Sequence, residues 1–221
     1  MCGRYGRLSR YERIAELLGA DLRNEAGDLD ARYNVAPGTF QPVVLAGAGT
    51  AVLSRLKWGL VPFWAKDCKT GVRPVNAKSD TAHEKPMFRK LIRERRCLVP
   101  CDWFYEWREN PPDKTPFVIR MASGEPFFMG GLWDTWHAGK EDELSTFTVL
   151  TTGPNELMKT LHHRMPVIVA PEHAPRWLDP SVRDIEDLLQ PFASDAMTAY
   201  PVSRLVNAVR NDGPELVQPI E

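Results

Sequence analysis

The amino-acid sequence predicts an α+β fold: a single domain over residues 1–221, with a mainly antiparallel, bent or barrel-like β-sheet and flanking short α-helices. Three observations predict it. Short segments rich in β-branched and aromatic residues recur along the chain, bordered by Gly, Pro, Asp or Asn. The later segments follow one another too closely for helical crossovers, so antiparallel pairing is expected. The 19 prolines and 15 glycines are scattered as turn punctuation rather than gathered in a linker, and no internal repeat divides the chain.

In chain order, Ser9 and Glu12 form a capping box ahead of Ile14, Leu17 and Leu18, which predicts a first helix ending near Gly19. Strands are expected over 41–46 and 51–58. A second helix is expected over about 85–95, where Phe88, Leu91 and Ile92 recur at helical spacing and Thr81 and Glu84 offer a cap. Strands are then expected over 96–100, 103–107, 116–121, 126–132, 146–151 and 166–170. Start signals place shorter helices around 155–161, 171–178 and 182–189.

With 43% hydrophobic and 26% charged residues, the composition is that of an ordinary globular protein. No basic segment leads into an apolar run and no apolar stretch approaches bilayer-spanning length, so a cytoplasmic, membrane-free location is expected. Cys2, Cys68, Cys97 and Cys101 lack zinc-type spacing and are expected to be free thiols; Cys97 and Cys101 with His162 and His163 match no metal pattern, and neither metal nor cofactor is expected. The net charge of −1 conceals an asymmetry. Residues 1–100 hold 18 Lys and Arg against 10 Asp and Glu, whereas residues 101–221 hold 10 against 19. Arg4, Arg7, Arg32, Lys57, Lys66, Lys69, Arg73 and Lys78 therefore form either a local basic surface suited to phosphates or scattered charges neutralised by the second half.

The chain begins Met1-Cys2-Gly3-Arg4, and removal of Met1 exposes an N-terminal cysteine. Such a residue carries two nucleophiles, an α-amine of pKa about 7.7–8.0 and a thiol of about 8.5. It can condense with an aldehyde and close a thiazolidine ring, or attack an acyl carbon through sulfur alone. Glu106 lies within Trp103-Phe104-Tyr105-Glu106-Trp107. It reads either as a desolvated carboxyl suited to proton transfer or as an outward-facing strand residue. His162 and His163 suit a proton shuttle or a hydrogen-bonded core position. Asn76 can orient an amine or a sugar hydroxyl, and Asn34 serves equally as a turn residue.

The order and local context of these residues resemble the SOS-response-associated peptidase (SRAP) family. The resemblance rests on Met1 to Tyr5, Arg32-Tyr33-Asn34-Val35-Ala36-Pro37-Gly38, Trp58-Gly59-Leu60-Val61-Pro62, Asn76-Ala77-Lys78, Phe104-Tyr105-Glu106-Trp107, His162-His163-Arg164-Met165-Pro166, and Pro201-Val202-Ser203 with Val206-Asn207. It implies a protein that shields abasic sites in single-stranded DNA by a covalent thiazolidine crosslink through Cys2, with lyase, crosslink-reversal and autopeptidase activities as further expectations. By the same resemblance, Asn76 holds the Cys2 end and the sugar, Glu106 moves protons at the amine and imine, and His162 opens the sugar ring. Arg4, Lys78 and Arg164 match phosphate-contacting positions, while Asn34, Pro37 and Trp64 match a loop and wedge that splay the strand. The implied partner is single-stranded DNA with abasic sites, including single-strand/double-strand junctions, bound by a monomer.

Three positions depart from the family pattern. Lys78 stands where arginine is commoner, His163 where other members carry aspartate, and Ala65 where some carry an aromatic residue. The choice of His162 over His163 rests on alignment to Arg164 and Pro166. Two rival readings use parts of the same pattern. An N-terminal-nucleophile amidohydrolase of the glutamine amidotransferase type would use the Cys2 thiol for hydrolysis, leaving 104–107 and 162–166 without a role. A non-catalytic reader of modified bases would need the basic surface but not Glu106 or a free Cys2 amine.

Overall fold

A computed structural model describes residues 2–68, 73–110 and 113–220, the side chains at 109, 110 and 113 excepted. Met1 and Lys69 lie outside the described residues. The chain runs β1 (Tyr5–Arg7), α1 (Tyr11–Leu18), β2 (Leu22–Asn24), β3 (Arg32–Val35), β4 (Phe40–Ala46) and β5 (Ala51–Trp58). It continues through β6 (Asn76–Lys78), α2 (Ser79–Ala82), α3 (Leu91–Glu94), β7 (Arg96–Cys101), β8 (Trp103–Asn110), β9 (Asp113–Met121), β10 (Phe127–Trp136) and β11 (Leu144–Thr152). The last elements are α4 (Glu156–Lys159), β12 (Met165–Pro166), β13 (Ile168–Val169), α5 (Ala174–Leu178) and β14 (Met197–Pro201), with single 3-10 turns between and after them.

Strands β14-β9-β8-β1-β3 form one sheet, and β12-β11-β10-β7-β4-β5-β2 the path of a second. In the second sheet β5 also pairs with β11 in parallel, Lys57 with Thr146 and Trp58 with Phe147, which closes five strands into a barrel. The fold is thus α+β with a mainly antiparallel, barrel-like sheet. The parallel exceptions are β2 and β11 on β5, and β6 on β11.

Alternation along β7 explains why its strand reads as unbroken apolar sequence. Cys97, Val99 and Cys101 join Met129, Phe147, Tyr5 and Phe104 in one core, whereas Leu98 faces the opposite side with Ile14, Leu18, Ile92 and Trp177. Both faces are covered, one by the other sheet and one by helices. No helix among the described residues is long and apolar enough to cross a membrane.

Three helix expectations need correction, the simplest being that over 182–189, where only a 3-10 turn at Glu186–Leu189 forms. Helix α1 ends at Gly19 in the left-handed region (φ 63°), as expected, but Ser9 does not cap it. Its hydroxyl and backbone N–H donate to Asp102, at 2.9 and 3.1 Å, so a tertiary carboxylate outcompetes the local cap. The helix expected over 85–95 is confined to Leu91–Glu94, and Thr81 lies inside α2 rather than capping α3. Pro86 sits between the two short helices and cannot donate the bond that would continue a helix through it. The three- to five-residue strands β1, β2, β3, β6 and β14 went unforeseen, since each is too short to show a period.

Candidate functional site

The register of two sheets brings the candidate residues together. On the first sheet β1 pairs with β8, Tyr5 opposite Phe104, and the Tyr105 N–H donates to the Arg4 carbonyl at 3.0 Å. This lays Cys2 to Arg4 along the end of β8 that carries Glu106. On the second sheet Asn76 and Lys78 in β6 pair with Val149 and Thr151 of β11, and Thr151 in turn faces Pro166 of β12. That places His162 to Arg164 beside β6.

Cys2 is fully buried. Its Sγ lies 3.9 Å from Met129 Sδ and 4.0 Å from the Arg4 carbonyl. Burial pushes the thiol far above its ordinary range, and the nearby Glu106 carboxylate adds to the shift. As an internal residue Cys2 therefore holds a neutral, unreactive thiol. Its carbonyl accepts a 2.8 Å hydrogen bond from Asn76 Nδ2, which fixes the orientation of that amide. The opposite atom, Asn76 Oδ1, is buried and accepts no hydrogen bond from any described group.

Alternation along β8 decides between the two readings of Glu106. Trp103 and Tyr105 pack with Val202, Val206 and Leu216 on one face, while Phe104 joins the core that contains Cys2. Glu106, two residues on, shares the face of Phe104 and is 2% exposed. Desolvation raises its pKa, and His163 is among the charges that oppose the rise. The outward-facing alternative is thereby excluded.

His162 is half-buried and His163 exposed, their rings stacked at 4.2 Å. The Arg164 backbone holds the His162 ring at Nδ1, with its N–H at 3.0 Å and its carbonyl at 3.2 Å. His163 is held below the usual histidine range, chiefly by the neighbouring His162.

The residues expected on the DNA face divide into two groups. Pro37, Trp64 (56% exposed) and Lys78 are open to solvent. Arg4 and Asn34 instead clamp the C-terminal segment: Arg4 Nη1 donates to Asn34 Oδ1 and the Val206 carbonyl, both at 2.9 Å, and Nη2 to the Asn207 carbonyl at 3.3 Å. Asn34 is 1% exposed and shares its amide protons among the carbonyls of Val206, Ala208 and Asn211. Arg164 pairs with Asp80 at 2.9 Å and donates to the Thr151 carbonyl, leaving its buried Nε without a described partner. Of the wider basic set, Arg7 is 2% exposed and donates to the carbonyls of Ser9 and Asp30, and Arg32 pairs with Asp212; neither belongs to a free basic surface.

Sequence reasoning missed Phe63 (58% exposed) beside Trp64, and Trp107, whose Nε1 donates to Asn207 Oδ1 at 2.7 Å. The adjacent pair Phe63-Trp64 directly after Pro62 was the available signal for the first. Nothing local announces the second, which depends on the fold of the C-terminal segment.

Comparison with known proteins gives a consistent result. Residues 1–209 match the family model described as SOS response associated peptidase (SRAP). The chain is 40% identical over 222 residues to the abasic site processing protein YoqW of Bacillus subtilis, covering 99% of each chain. It is 30% identical to the abasic site processing protein YedK of Escherichia coli, covering 100% of both. A crystal structure of a Bacteroides thetaiotaomicron protein superposes over 100% of both chains with a TM-score of 0.86 and 29% identity.

Proposed function

The chain belongs to the SRAP family, and from that premise we propose that it processes abasic sites by bonding Cys2 covalently to the sugar aldehyde in single-stranded DNA. The observation that carries this reading is the Asn76 amide, which grips the Cys2 carbonyl at 2.8 Å while presenting an unspent, buried Oδ1 beside it. Once Met1 is removed, Oδ1 is an acceptor for the new α-amine and aims its lone pair. Removal of Met1 also places an ammonium group on the same carbon skeleton as the thiol, which lowers the thiol pKa and offsets part of the burial effect.

The reaction then needs protons moved in a fixed order. His162 acts on the closed abasic sugar as acid and then base: its imidazolium gives a proton to the ring oxygen and the resulting neutral ring takes up the proton of the C1′ hydroxyl, which frees the aldehyde. The neutral Cys2 amine adds to C1′. Glu106, whose pKa is raised by its apolar surroundings, gives a proton to the departing hydroxyl and takes back the nitrogen proton, so water leaves and a neutral imine remains. Sulfur adds to the imine carbon, the thiol proton passes to nitrogen, and the thiazolidine closes. If sulfur is withheld, the imine instead supports β-elimination of the 3′ phosphate, the lyase outcome. Lys78, exposed two residues after Asn76, and the Arg164 guanidinium are the cationic groups offered to flanking phosphates.

The test is incubation of the Met1-processed protein with a single strand carrying one abasic site, followed by denaturing gel and intact mass. The expected product is a protein–DNA adduct that has lost one water at imine formation and is absent for Cys2→Ala and for an undamaged strand. No adduct with the wild type overturns the proposal, and glutamine hydrolysis by the same sample would favour the amidohydrolase reading.

A further inference from the structure

A cavity of about 240 Å³ that this chemistry leaves unused opens next to Asn76 in the chain, lined by Pro37, Lys57, Trp58, Arg73, Val75 and Leu144 among others. It is smaller than the roughly 300–1,000 Å³ of sites for drug-sized molecules, which suits a single ring system. Its walls are tied by backbone bonds: Gly38 N–H donates to the Trp58 carbonyl (2.8 Å), Trp58 N–H to Thr39 (3.0 Å) and Leu60 N–H to Pro74 (3.1 Å). Trp58 Nε1 donates to the Val75 carbonyl at 2.8 Å, joining floor to wall.

Gly59, in the lining, holds φ at 118°, where other L-residues are strained.

Two features identify the occupant. The first is charge: the lining includes two half-buried cations, Lys57 and Arg73, and no acid. The Lys57 ammonium also lies 5.8 Å from the ring of Phe40, which is 50% exposed, so an aromatic face and a cation stand together outside. The second is continuity. Val75 directly precedes Asn76, and Trp58 packs on Tyr5 at 5.4 Å within the core that contains Cys2. An apolar slot with a cationic lining, adjoining a site that takes a DNA sugar, matches a base with its phosphate.

We infer that this slot takes one nucleobase flanking the abasic residue, turned out of the strand, with Lys57 and Arg73 on its phosphate. The inference rests on the proposed function, and makes Leu144 and Val75 determinants of flanking-base preference.

Its test uses single strands carrying tetrahydrofuran, an abasic analogue with no aldehyde, so that affinity is read independently of crosslinking. Fluorescence anisotropy compares a strand with both flanking bases present against strands lacking the base on one side or the other. Loss of the base on one side alone should weaken wild-type binding about tenfold, within the range of one buried base. In Leu144→Trp, which fills the slot, the strands should bind alike. A Lys57→Gln variant, expected to fold regardless, should lower the salt dependence of log affinity by about 0.7. Equal wild-type affinity for all strands, an undiminished tenfold difference in a folded Leu144→Trp, or an unchanged salt slope in Lys57→Gln overturns the slot. Loss of crosslinking on a natural abasic strand with the base dependence intact would count against the proposed chemistry alone.

Discussion

Glu106 illustrates how a single side chain couples stability to chemistry. Its folded pKa is raised, so between the ordinary carboxyl range and the folded value the native state binds more protons than the unfolded chain. Stability from this group is therefore lost as pH rises through that window. Glu106→Gln should melt at a higher temperature than wild type near neutral pH, and the difference should vanish in acid; thermal melts from pH 4 to 8 check the sign. The same variant should slow crosslinking by about 10²-fold, the lower range for loss of a general acid. Asn34 presents the opposite case, a site residue by resemblance whose amide is spent inside the fold. Asn34→Ala removes one of the three acceptors of Arg4 and leaves the Asn211 carbonyl without its amide donor, and should cost about 1–3 kcal/mol in urea denaturation. Its effect on DNA binding should follow from that loss. Glu106 was legible in its aromatic run because strand alternation is local, but the carbonyl partners of Asn34 lie more than 170 residues away in the chain.

Among elements, the strands over 51–58 and 41–46 were readable because their β-branched runs are long enough to carry a pattern and are bounded by turns. The short pieces that hold the site were not. β1 and β6 have three residues each, and they are strands only because β8, β3 and β11 supply hydrogen bonds. The caps tell the same story in reverse. Ser9 had the right spacing and lost to Asp102, whereas Asn155 caps α4 by accepting from the Met158 N–H at 2.9 Å and also donates to the Phe192 carbonyl at 2.8 Å. Helix α4 leads directly into His162, whose N–H donates to the Met158 carbonyl at 2.8 Å. Asn155→Ala should therefore cost about 1 kcal/mol, measured by chemical denaturation, and should shift the pH dependence of crosslinking through the displaced histidine.

For the molecule as a whole, the charge contrast between the halves is partly consumed in folding. Arg32 pairs with Asp212 and Arg13 with Glu125, each joining the basic half to the acidic one. The remaining basic surface is narrower than composition suggested, and Lys78 is its exposed member beside the site. Lys78→Ala should reduce the slope of log affinity against log salt by about 0.7 on single-stranded DNA, the value for one phosphate contact. Anisotropy titrations between 50 and 200 mM salt would measure it. The barrel closure through β5 and β11 matters at this scale too. It brings Trp58 and Phe147 together with their rings stacked at 6.1 Å, and so fixes the wall that the Cys2 core and the neighbouring cavity share.

The position of the Cys2 sulfur against Met129 bears on how long such a protein lasts. Oxidation of a thiol proceeds through its exposed, ionised form, and a sulfur that is fully buried and strongly protonated offers peroxide neither. Cys97 and Cys101 are equally enclosed, so among the four cysteines an oxidant in solution meets the partly exposed Cys68 first. Under the proposed chemistry Cys2 has to remain reduced until it bonds, and burial in the hydrophobic core protects it until then.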